Sequence, residues 1–531
     1  MQAHVEIDRV DQPVRRPVIA EADGLGLGIE RHRITPGGTK SGHSANESCR
    51  PSVGGSEARI ASHRFKRPPA VGGIAASSPS CGRLCATFGW NREQDESLYP
   101  ALIPPTSVEK YSTFRNGGYR MADTGAPERF ESLDSWRGIC AVMVAIYHFA
   151  FVMNADSIRS AFILNSYLFV DFFFVLSGFV VCHAYRDRLD APRKVGGFIL
   201  RRFGRLWPLH AAILFAMMVA IMAINLFGPY PDQLAVHANT GSYSLLALVL
   251  NALLLNSMSL YGSAWNGPAW SIGAELYTYI LFAAVIVLSG RRLVAASLLL
   301  VAGASLALLA LAPSYMNSTA DYGLVRCVAG FFTGVVAYHL HVRMRARALP
   351  FATVAEVAAV AIAGLFVIVA GNGPDKVHAL SLLAPAVFGC AILIFAREGG
   401  ALSRALRVRP LRALGRWSYS IYMVHVPLLV LLAYGVWLYG EAAGITVRRE
   451  VVVEGYVKHL YDLGHPMATQ ALLAGFLVVT VALAAFTYAR IEDPWRGRLN
   501  RLARRYEEGG RRSLALGRLP AEAVPIPVRD R

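Results

Sequence analysis

A histidine and an arginine lie eleven positions apart in an otherwise apolar stretch. Residues 133–152 read LDSWRGICAVMVAIYHFAFV, so Arg137 enters the stretch and His148 lies well inside it. On an α-helix the two side chains share a face, about 16 Å apart along the axis. We expect them to line one cavity in which His148, an imidazole suited to proton transfer at neutral pH, accepts a proton. A structural histidine and a topogenic arginine at a helix end are the alternatives.

A carboxylate stands near the beginning of another apolar helix. The segment WNGPAWSIGAELYTY, residues 265–279, contains Glu275 one turn after Ser271, with Trp270 at the same end. An acidic group at membrane depth is costly, which makes Glu275 a site candidate. The alternative is an acid favoured there by the helix dipole.

Three arginines precede a proline that begins a further apolar run. They are Arg201, Arg202 and Arg205, in FILRRFGRLWP, residues 198–208. Arg202 and Arg205 share a helical face, and paired guanidinium groups bind phosphates bidentately. The alternative is a positively charged anchor on the cytoplasmic side.

A fourth polar group lies in a late apolar run. The segment GRWSYSIYMVHVPLL, residues 415–429, carries Ser418, Tyr419, Tyr422 and His425. Hydrogen bonds between packed helices explain these side chains as well as catalysis does. We therefore predict them, with Trp270 and Ser271, as substrate-binding or structural residues.

Composition predicts an all-α fold, a polytopic membrane bundle of about ten helices. The 531 residues are 54% hydrophobic and only 17% charged, with a mean hydropathy of +0.38. Apolar runs of about 17 to 25 residues are typical of membrane helices. The net charge of +17 is better explained by cytoplasmic Lys and Arg loops than by nucleic-acid binding. No spacing of histidines or cysteines indicates a metal site.

Ten spans are predicted, and loop charge gives their orientation. Residues 243–260 are apolar too, but letting them cross would put the later arginine clusters outside, so we assign them as re-entrant or interfacial. Both termini then lie in the cytoplasm. The ten predicted spans are 136–154, 167–184, 207–227, 270–289, 293–312, 323–341, 351–371, 377–396, 417–438 and 468–488.

Three regions are predicted along the chain. Residues 1–120 are rich in Gly, Ser, Pro and Arg, and form either a disordered extension or an untranslated upstream segment, with translation beginning at Met121. Residues 130–495 form the membrane domain. Residues 496–531 form a basic cytoplasmic tail.

These segments together resemble the acyltransferase-3 family of membrane acyltransferases, which includes bacterial O-antigen and exopolysaccharide O-acetylases. The resemblance covers residues 130–495. One departure is Leu276, where the family often has a second acidic residue. The motifs that carry the resemblance are LDSWRGICAVMVAIYHF, VDFFFVLSGFVV, RRFGRLWP, WSIGAELY and GRWSYSIYMVH.

The resemblance implies an enzyme of the bacterial inner membrane. The donor would be cytoplasmic acyl-CoA, acetyl-CoA by default, and the acceptor a hydroxyl of a carbohydrate or glycolipid, commonly at the outer side. Arg201, Arg202 and Arg205 would bind the donor's phosphates. Membrane lipid is an expected partner, whereas a metal or nucleic acid is not.

The resemblance also implies roles for three residues in the reaction. His148 would act as general base on the acceptor hydroxyl, or would itself be acylated. Arg137 would assist at the donor's phosphates. From spacing alone, Asp134 is expected to pair with Arg137, because it stands three residues earlier on the same helix. Glu275 would orient the acceptor or polarise His148.

Two other classes of function remain open from the residues alone. A transporter of a small molecule or lipid would use the same polar groups along a substrate path, although no internal repeat favours it. A sensory or scaffold membrane protein would need no catalysis at all.

Overall fold

The computed structural model describes residues 129–516, apart from 230, 232–233, 235, 237–242, 259–264, 348, 372–377 and 454–455. Within these residues the chain forms fourteen α-helices. The first seven are α1 (Glu131–Val152), α2 (Ala161–Leu164), α3 (Phe169–Tyr185), α4 (Pro192–Phe227), α5 (Leu245–Ala252), α6 (Ala269–Ser289) and α7 (Leu293–Leu311). The others are α8 (Gly323–Met344), α9 (Ala352–Ala370), α10 (Ala384–Phe395), α11 (Ala401–Leu406), α12 (Arg409–Ala443), α13 (Pro466–Thr487) and α14 (Asp493–Leu516).

Apolar helices occur at all ten predicted spans. In the described part of the chain, eight continuous helical stretches are long and apolar enough to cross a membrane. Two predicted spans, 270–289 and 293–312, share the stretch Ala269–Leu311, which a turn at Gly290 with φ +49° divides into α6 and α7. The predicted span 377–396 is a shorter apolar helix. The prediction of an all-α membrane bundle is confirmed.

The stretch 243–260 is predicted to be re-entrant or interfacial. Its described part contains one helix, the short α5. Its eight residues rise about 12 Å, well below the roughly 30 Å of a hydrocarbon core. Ser244 caps the helix by accepting a hydrogen bond from the backbone of Ala247 at 3.1 Å. His210 of α4 contacts the carbonyl oxygen of Asn251 at 2.8 Å through Nε2. The described part of this stretch is thus fastened to α4 and forms no spanning helix.

Glycines allow two pairs of helices to approach closely. Gly138 of α1 lies against Gly415 of α12, and Gly178 of α3 lies against the backbone of Phe331 in α8. Gly334 of α8 lies in turn against the backbone of α3. Small residues at such crossings increase van der Waals contact in the apolar environment of a membrane. The pairing of α1 with α12 also brings together the helices that carry the two predicted histidines.

A buried ion pair joins α3 to α8. Arg326 donates from Nε and Nη2 to the two oxygens of Asp171, at 2.9 and 2.8 Å, and both side chains are at most 1% exposed. Arg326 also donates to the carbonyl oxygens of Ser318 and Tyr167, each at 3.1 Å. The ring of Trp270 lies 5.3 Å from the guanidinium. These partners together offset the cost of burying two charges in an apolar bundle.

A β-hairpin, which the sequence analysis did not predict, follows α12. Its strands β1 (Arg448–Val453) and β2 (Tyr456–Tyr461) are antiparallel. Tyr461 forms a bridge with Met153, directly after α1, and its carbonyl accepts from the backbone of Asn154 at 2.7 Å. The hairpin therefore covers the end of α1 opposite to Arg137.

The predicted basic tail begins as a helix. A π-helical turn, Tyr488–Glu492, joins α13 to α14, and α14 lies along α4. The predicted extension 1–120 and residues 517–531 lie outside the described residues.

Replacing one member of the buried pair should destabilise the fold. Arg326→Met leaves the Asp171 carboxylate unpaired in an apolar environment, and we expect a loss of about 3–5 kcal/mol. The double variant with Asp171→Leu should recover most of this loss, because no charge is then left unpaired. Thermal unfolding of the detergent-solubilised protein measures both. Arg343→Met, at an exposed position of α8, is the control. An unchanged Tm for the single variant would contradict the role of the pair.

Candidate active site

A cavity of about 400 Å³, here called the central cavity, lies among the helices that carry most of the predicted site residues. Residues of α1, α3, α4, α6 and α12 form its wall. Apolar side chains such as Phe173 and Leu176 make up much of this wall. Its size and its few convergent polar groups are typical of a small-molecule site. The predicted site residues in the wall are Asp134, Arg137, Arg202, Arg205, Ser271, Glu275, Ser418, Tyr419 and Tyr422.

Three arginines lie together in this wall. Arg205 is within electrostatic range of Arg137 and Arg202, and also of the buried carboxylate of Glu492, which offsets part of this charge. Arg202 donates to the phenol oxygen of Tyr185 at 3.4 Å, and its guanidinium lies 5.1 Å from the Tyr185 ring and 5.6 Å from the Tyr279 ring. The partners of Arg202 are thus aromatic rather than acidic. This part of the wall, the arginine rim, holds three guanidinium groups against the carboxylates of Asp134 and Glu492, and so keeps a net positive charge for an anion.

Three of the predicted charged residues, Asp134, Arg137 and Arg201, are already paired with protein groups. Asp134 Oδ1 lies 3.8 Å from Arg137 Nη1, as the spacing predicted, and Arg129 Nε donates to Asp134 Oδ2 at 3.1 Å. Arg201 forms an ion pair with Glu507 of α14. Arg201 does not line the central cavity but a second cavity beside α14.

Glu275 belongs to a hydrogen-bonded group in the cavity wall. Its Oε1 accepts from Ser177 Oγ at 2.5 Å and from the phenol of Tyr279, and the two hydroxyl oxygens lie 2.9 Å apart. These contacts do not include His148. The expectation that Glu275 polarises His148 therefore has no contact to support it, whereas a role in orienting a substrate stays a prediction.

The remaining predicted polar residues divide between binding surface and scaffold. Ser271 Oγ donates to Tyr422 Oη at 2.9 Å, and Tyr419 donates to a backbone carbonyl of α4. Ser418 Oγ is buried without a hydrogen-bond partner among the described residues, although it lines the cavity. Trp270 is absent from the cavity wall and lies against the buried ion pair. Ser418 thus offers an unused hydroxyl to a ligand, while Trp270 is part of the scaffold.

The two predicted histidines contact each other across α1 and α12. His148 Nδ1 lies 3.2 Å from His425 Nε2, and the rings are 4.9 Å apart. His148 is half-buried and His425 is fully buried. Neither ring lines the central cavity, but Tyr422 does, and its ring lies 5.7 Å from that of His425. The expectation that Arg137 and His148 line one cavity is therefore not met here. The contacts that lead from the cavity to His148 run through Tyr422 and His425.

The partners of both rings define one proton arrangement. His148 Nδ1 lies 2.9 Å from the carbonyl oxygen of Val144, and His425 Nδ1 lies 3.2 Å from that of Ile421. A carbonyl oxygen only accepts, so both rings carry their proton on Nδ1 when neutral. The one Nδ1–H of His148 is then shared between the carbonyl oxygen of Val144 and the lone pair of His425 Nε2. His148 Nε2 keeps its own lone pair, which is the form a proton acceptor needs.

Sequence reasoning missed three polar residues of this region. Ser177 lies in the VDFFFVLSGFVV segment, which carries the family resemblance and in which a single serine among apolar residues gives only a weak signal of a site. Asp171 stands in the same apolar segment, and Arg326 stands inside the predicted span 323–341. A charge at membrane depth was the available signal for both. Their pairing needed the structure, because they lie 155 positions apart.

A family model described as an acyltransferase domain matches residues 130–489 of the chain. A curated relative, protein 2 in the picA locus of Rhizobium radiobacter, is 37% identical over 110 residues, which are 20% of this chain and 54% of that protein. The chain thus spans about half the length of this relative. No solved structure matches the chain. The matched residues include every helix that lines the central cavity, whereas α14 lies beyond them.

The proton arrangement of the histidine pair is testable without any assumption about function. In the ¹⁵N-histidine-labelled protein at a pH where the rings are neutral, His148 should show the Nδ1-protonated tautomer, because Val144 offers only an acceptor. The difference between wild-type and His148→Ala ¹⁵N NMR spectra isolates its signals. A His148 signal of the Nε2-protonated tautomer would contradict this arrangement.

Proposed function

Because this chain belongs to the acyltransferase family whose domain spans residues 130–489, we propose that it transfers an acyl group from acyl-CoA to a hydroxyl of a carbohydrate or glycoconjugate. The coarser statement, that the chain is an integral membrane acyltransferase, follows from the family and from the apolar helices. Acetyl-CoA is the expected donor. The rest of the proposal concerns how the donor and acceptor are held.

One observation carries the proposal. The central cavity places the arginine rim in the same wall as Tyr422, and Tyr422 contacts the histidine pair. A donor with anionic phosphates and a long, mostly uncharged arm matches such a cavity, because the phosphates meet the arginines while the arm enters among apolar side chains. The unused hydroxyl of Ser418 offers the arm a hydrogen bond.

In the proposed reaction His148 is the general base. Its Nε2 lone pair takes the proton of the acceptor hydroxyl as that oxygen attacks the thioester carbonyl. The tetrahedral intermediate then expels CoA thiolate, which takes up the proton from the imidazolium. His425 acts as a positioning residue, because its Nε2 lone pair accepts from the Nδ1–H of His148 and favours the protonated ring. Such a base contributes about 10²–10⁴-fold to the rate.

Covalent catalysis by His148 is the alternative path to the same products. The same Nε2 lone pair would attack the thioester carbonyl and expel CoA thiolate, which leaves an acyl-imidazolium. The acceptor hydroxyl would then attack this acyl carbon and release the neutral imidazole, and the hydroxyl proton would pass to the thiolate. Denaturing the protein during turnover and weighing the peptide that contains His148 separates the paths. Only the covalent path adds the mass of one acyl group to this peptide.

The thioester must pass Tyr422 in either path. Tyr422 stands between the central cavity and His425, and its hydroxyl accepts from Ser271. Rotation of this one side chain would bring the cavity into contact with the histidine pair. We therefore assign Tyr422 to the boundary between the donor arm and the base.

The proposal places the arginine rim on the cytoplasmic side of a bacterial inner membrane, with both termini on that side. Residues 186–205 carry seven Lys and Arg, which supports a cytoplasmic location of this loop and of the adjoining start of α4. The acceptor then approaches His148 from the outer side, beyond the cavity that holds the donor.

His148→Ala should abolish acyl transfer and leave the protein in the membrane. The base contributes about two to four orders of magnitude, so the lost acyl group should be evident by mass spectrometry of surface glycans. His378→Ala, at an exposed position outside both cavities, is the matched control and should retain the acyl group. Near-normal acylation in His148→Ala would remove this residue from the mechanism.

Arg202→Ala with Arg205→Ala should raise the KM for acyl-CoA by about tenfold or more, with kcat less affected, because ground-state contacts to the phosphates are lost. Steady-state kinetics on purified protein measures the change. The control is Arg291→Ala with Arg292→Ala, which removes the same charge from an exposed turn. An unchanged KM would show that Arg202 and Arg205 do not bind the donor's phosphates, and would favour the alternative of a positively charged anchor on the cytoplasmic side.

A further inference from the structure

A second cavity of about 490 Å³, here called the basic pocket, lies beside the central cavity. Seven Arg or Lys side chains and one carboxylate line it. Arg202 and Arg205 line both cavities, so the two are neighbours along the arginine rim. Such an excess of positive charge in a small concave site concentrates anions.

The helix α14 supplies one side of the basic pocket. Arg496, Asn500, Arg504 and Glu507 line it, and their spacing puts them on a single helical face. Glycines on α4 let this helix approach, since a side chain at Gly204 would collide with Leu499. The position of α14 is thus determined by close packing rather than by charge alone.

Some of the cations in the basic pocket are already neutralised, and others are not. Arg201 pairs with Glu507, Lys194 with Asp190 at 2.7 Å, and Arg496 with Asp493.

Arg188, Arg205 and Arg504 form no salt bridge with any residue that the structure describes, although all three line the pocket. Arg188 lies between α3 and α4, Arg205 in α4 and Arg504 in α14, so guanidinium groups from three elements converge here, and of these Arg205 also lies within electrostatic range of Glu492. Guanidinium groups that converge in this way suit a ligand with more than one phosphate.

We propose that the basic pocket holds the 3′-phosphorylated nucleotide end of the donor and that α14 forms its outer wall. This inference rests on the proposed function for the identity of the donor. In CoA the pyrophosphate lies between the arm and the nucleoside, and the 3′-phosphate lies beyond it. The residues shared by both cavities, Arg202 and Arg205, therefore meet the pyrophosphate. Arg188 and Arg504, which line only the basic pocket, meet the 3′-phosphate.

In this assignment α14 takes part in donor binding, although it lies outside the residues that the family model matches. The match ends at residue 489, and α14 begins at Asp493. Arg504 is consequently a specificity-determining residue outside the family domain, and it selects a donor that carries the 3′-phosphate.

The test compares the binding of CoA with that of 3′-dephospho-CoA to the full chain in detergent, by isothermal titration calorimetry. The wild type should bind CoA roughly tenfold more tightly, the effect of one charge-assisted contact to phosphate. Arg504→Ala should bring the two dissociation constants to within about twofold. Arg505→Ala removes the same charge from the neighbouring exposed position, which does not line the pocket, and should keep the full preference.

Three outcomes overturn the proposal: equal binding of both compounds by the wild type, an unchanged preference in Arg504→Ala, or an equal loss of preference in Arg505→Ala. Competition is a further arm. CoA binding is therefore also measured in nanodiscs of anionic and of neutral lipid. If anionic lipid abolishes CoA binding and neutral lipid does not, the pocket binds lipid phosphate groups and the proposal fails.

The readout is independent of the proposed reaction. If the protein binds CoA selectively but forms no acylated product, the proposal of a nucleotide-binding pocket is supported and the proposed acyl transfer is contradicted. An acylated product without selective binding would do the reverse. Arg504→Lys, which retains charge but not the planar fork, should recover part of the preference.

Discussion

The arrangement of the central cavity depends on the ion pair between Asp171 and Arg326. It joins α3 to α8, and α3 carries Ser177 in the cavity wall. The ring of Trp270 lies over the same guanidinium, so the beginning of α6, which carries Glu275, is held at the same point. Two charges enclosed by carbonyl oxygens and apolar helices cannot shift apart without leaving one of them unsatisfied. The ion pair therefore holds α3 and α6 in the positions that bring Ser177 and Glu275 together in the cavity wall.

The sequence predicted what a single helix determines. Hydropathy located apolar helices at all ten predicted positions, because a spanning helix must match the apolar thickness of the membrane, although the helix at 377–396 is shorter than the others. Periodicity predicted the pairing of Asp134 with Arg137, since both lie on α1. Contacts between helices escaped prediction. The two histidines meet across 277 positions and Glu275 meets Ser177 across 98, and spacing along a chain does not say which helical faces will meet. The hairpin after α12 escaped as well, because each of its strands has only six residues.

The separation between the arginine rim and the histidine pair bears on how a membrane acyltransferase avoids hydrolysing its donor. In the proposed arrangement, the thioester waits in a cavity whose wall does not contain the base, and the base stands behind Tyr422. Water that follows the donor into the central cavity does not meet the imidazole there. Transfer then requires Tyr422 to move, which confines reactivity to the moment when the arm reaches the histidine pair.

In the proposed arrangement, the length of α4 determines how deep the donor's charged end would travel. The helix has 36 residues, about 54 Å, and exceeds a hydrocarbon core of about 30 Å. Its apolar part after Pro208 alone matches that thickness, so Arg205, one turn earlier, would stand at the level of the lipid headgroups. The donor's phosphates would then remain in a hydrated layer where their charge is tolerated, and only the uncharged arm would enter the hydrocarbon. The thickness of the bilayer would thus determine how deep into the membrane the acyl group is carried.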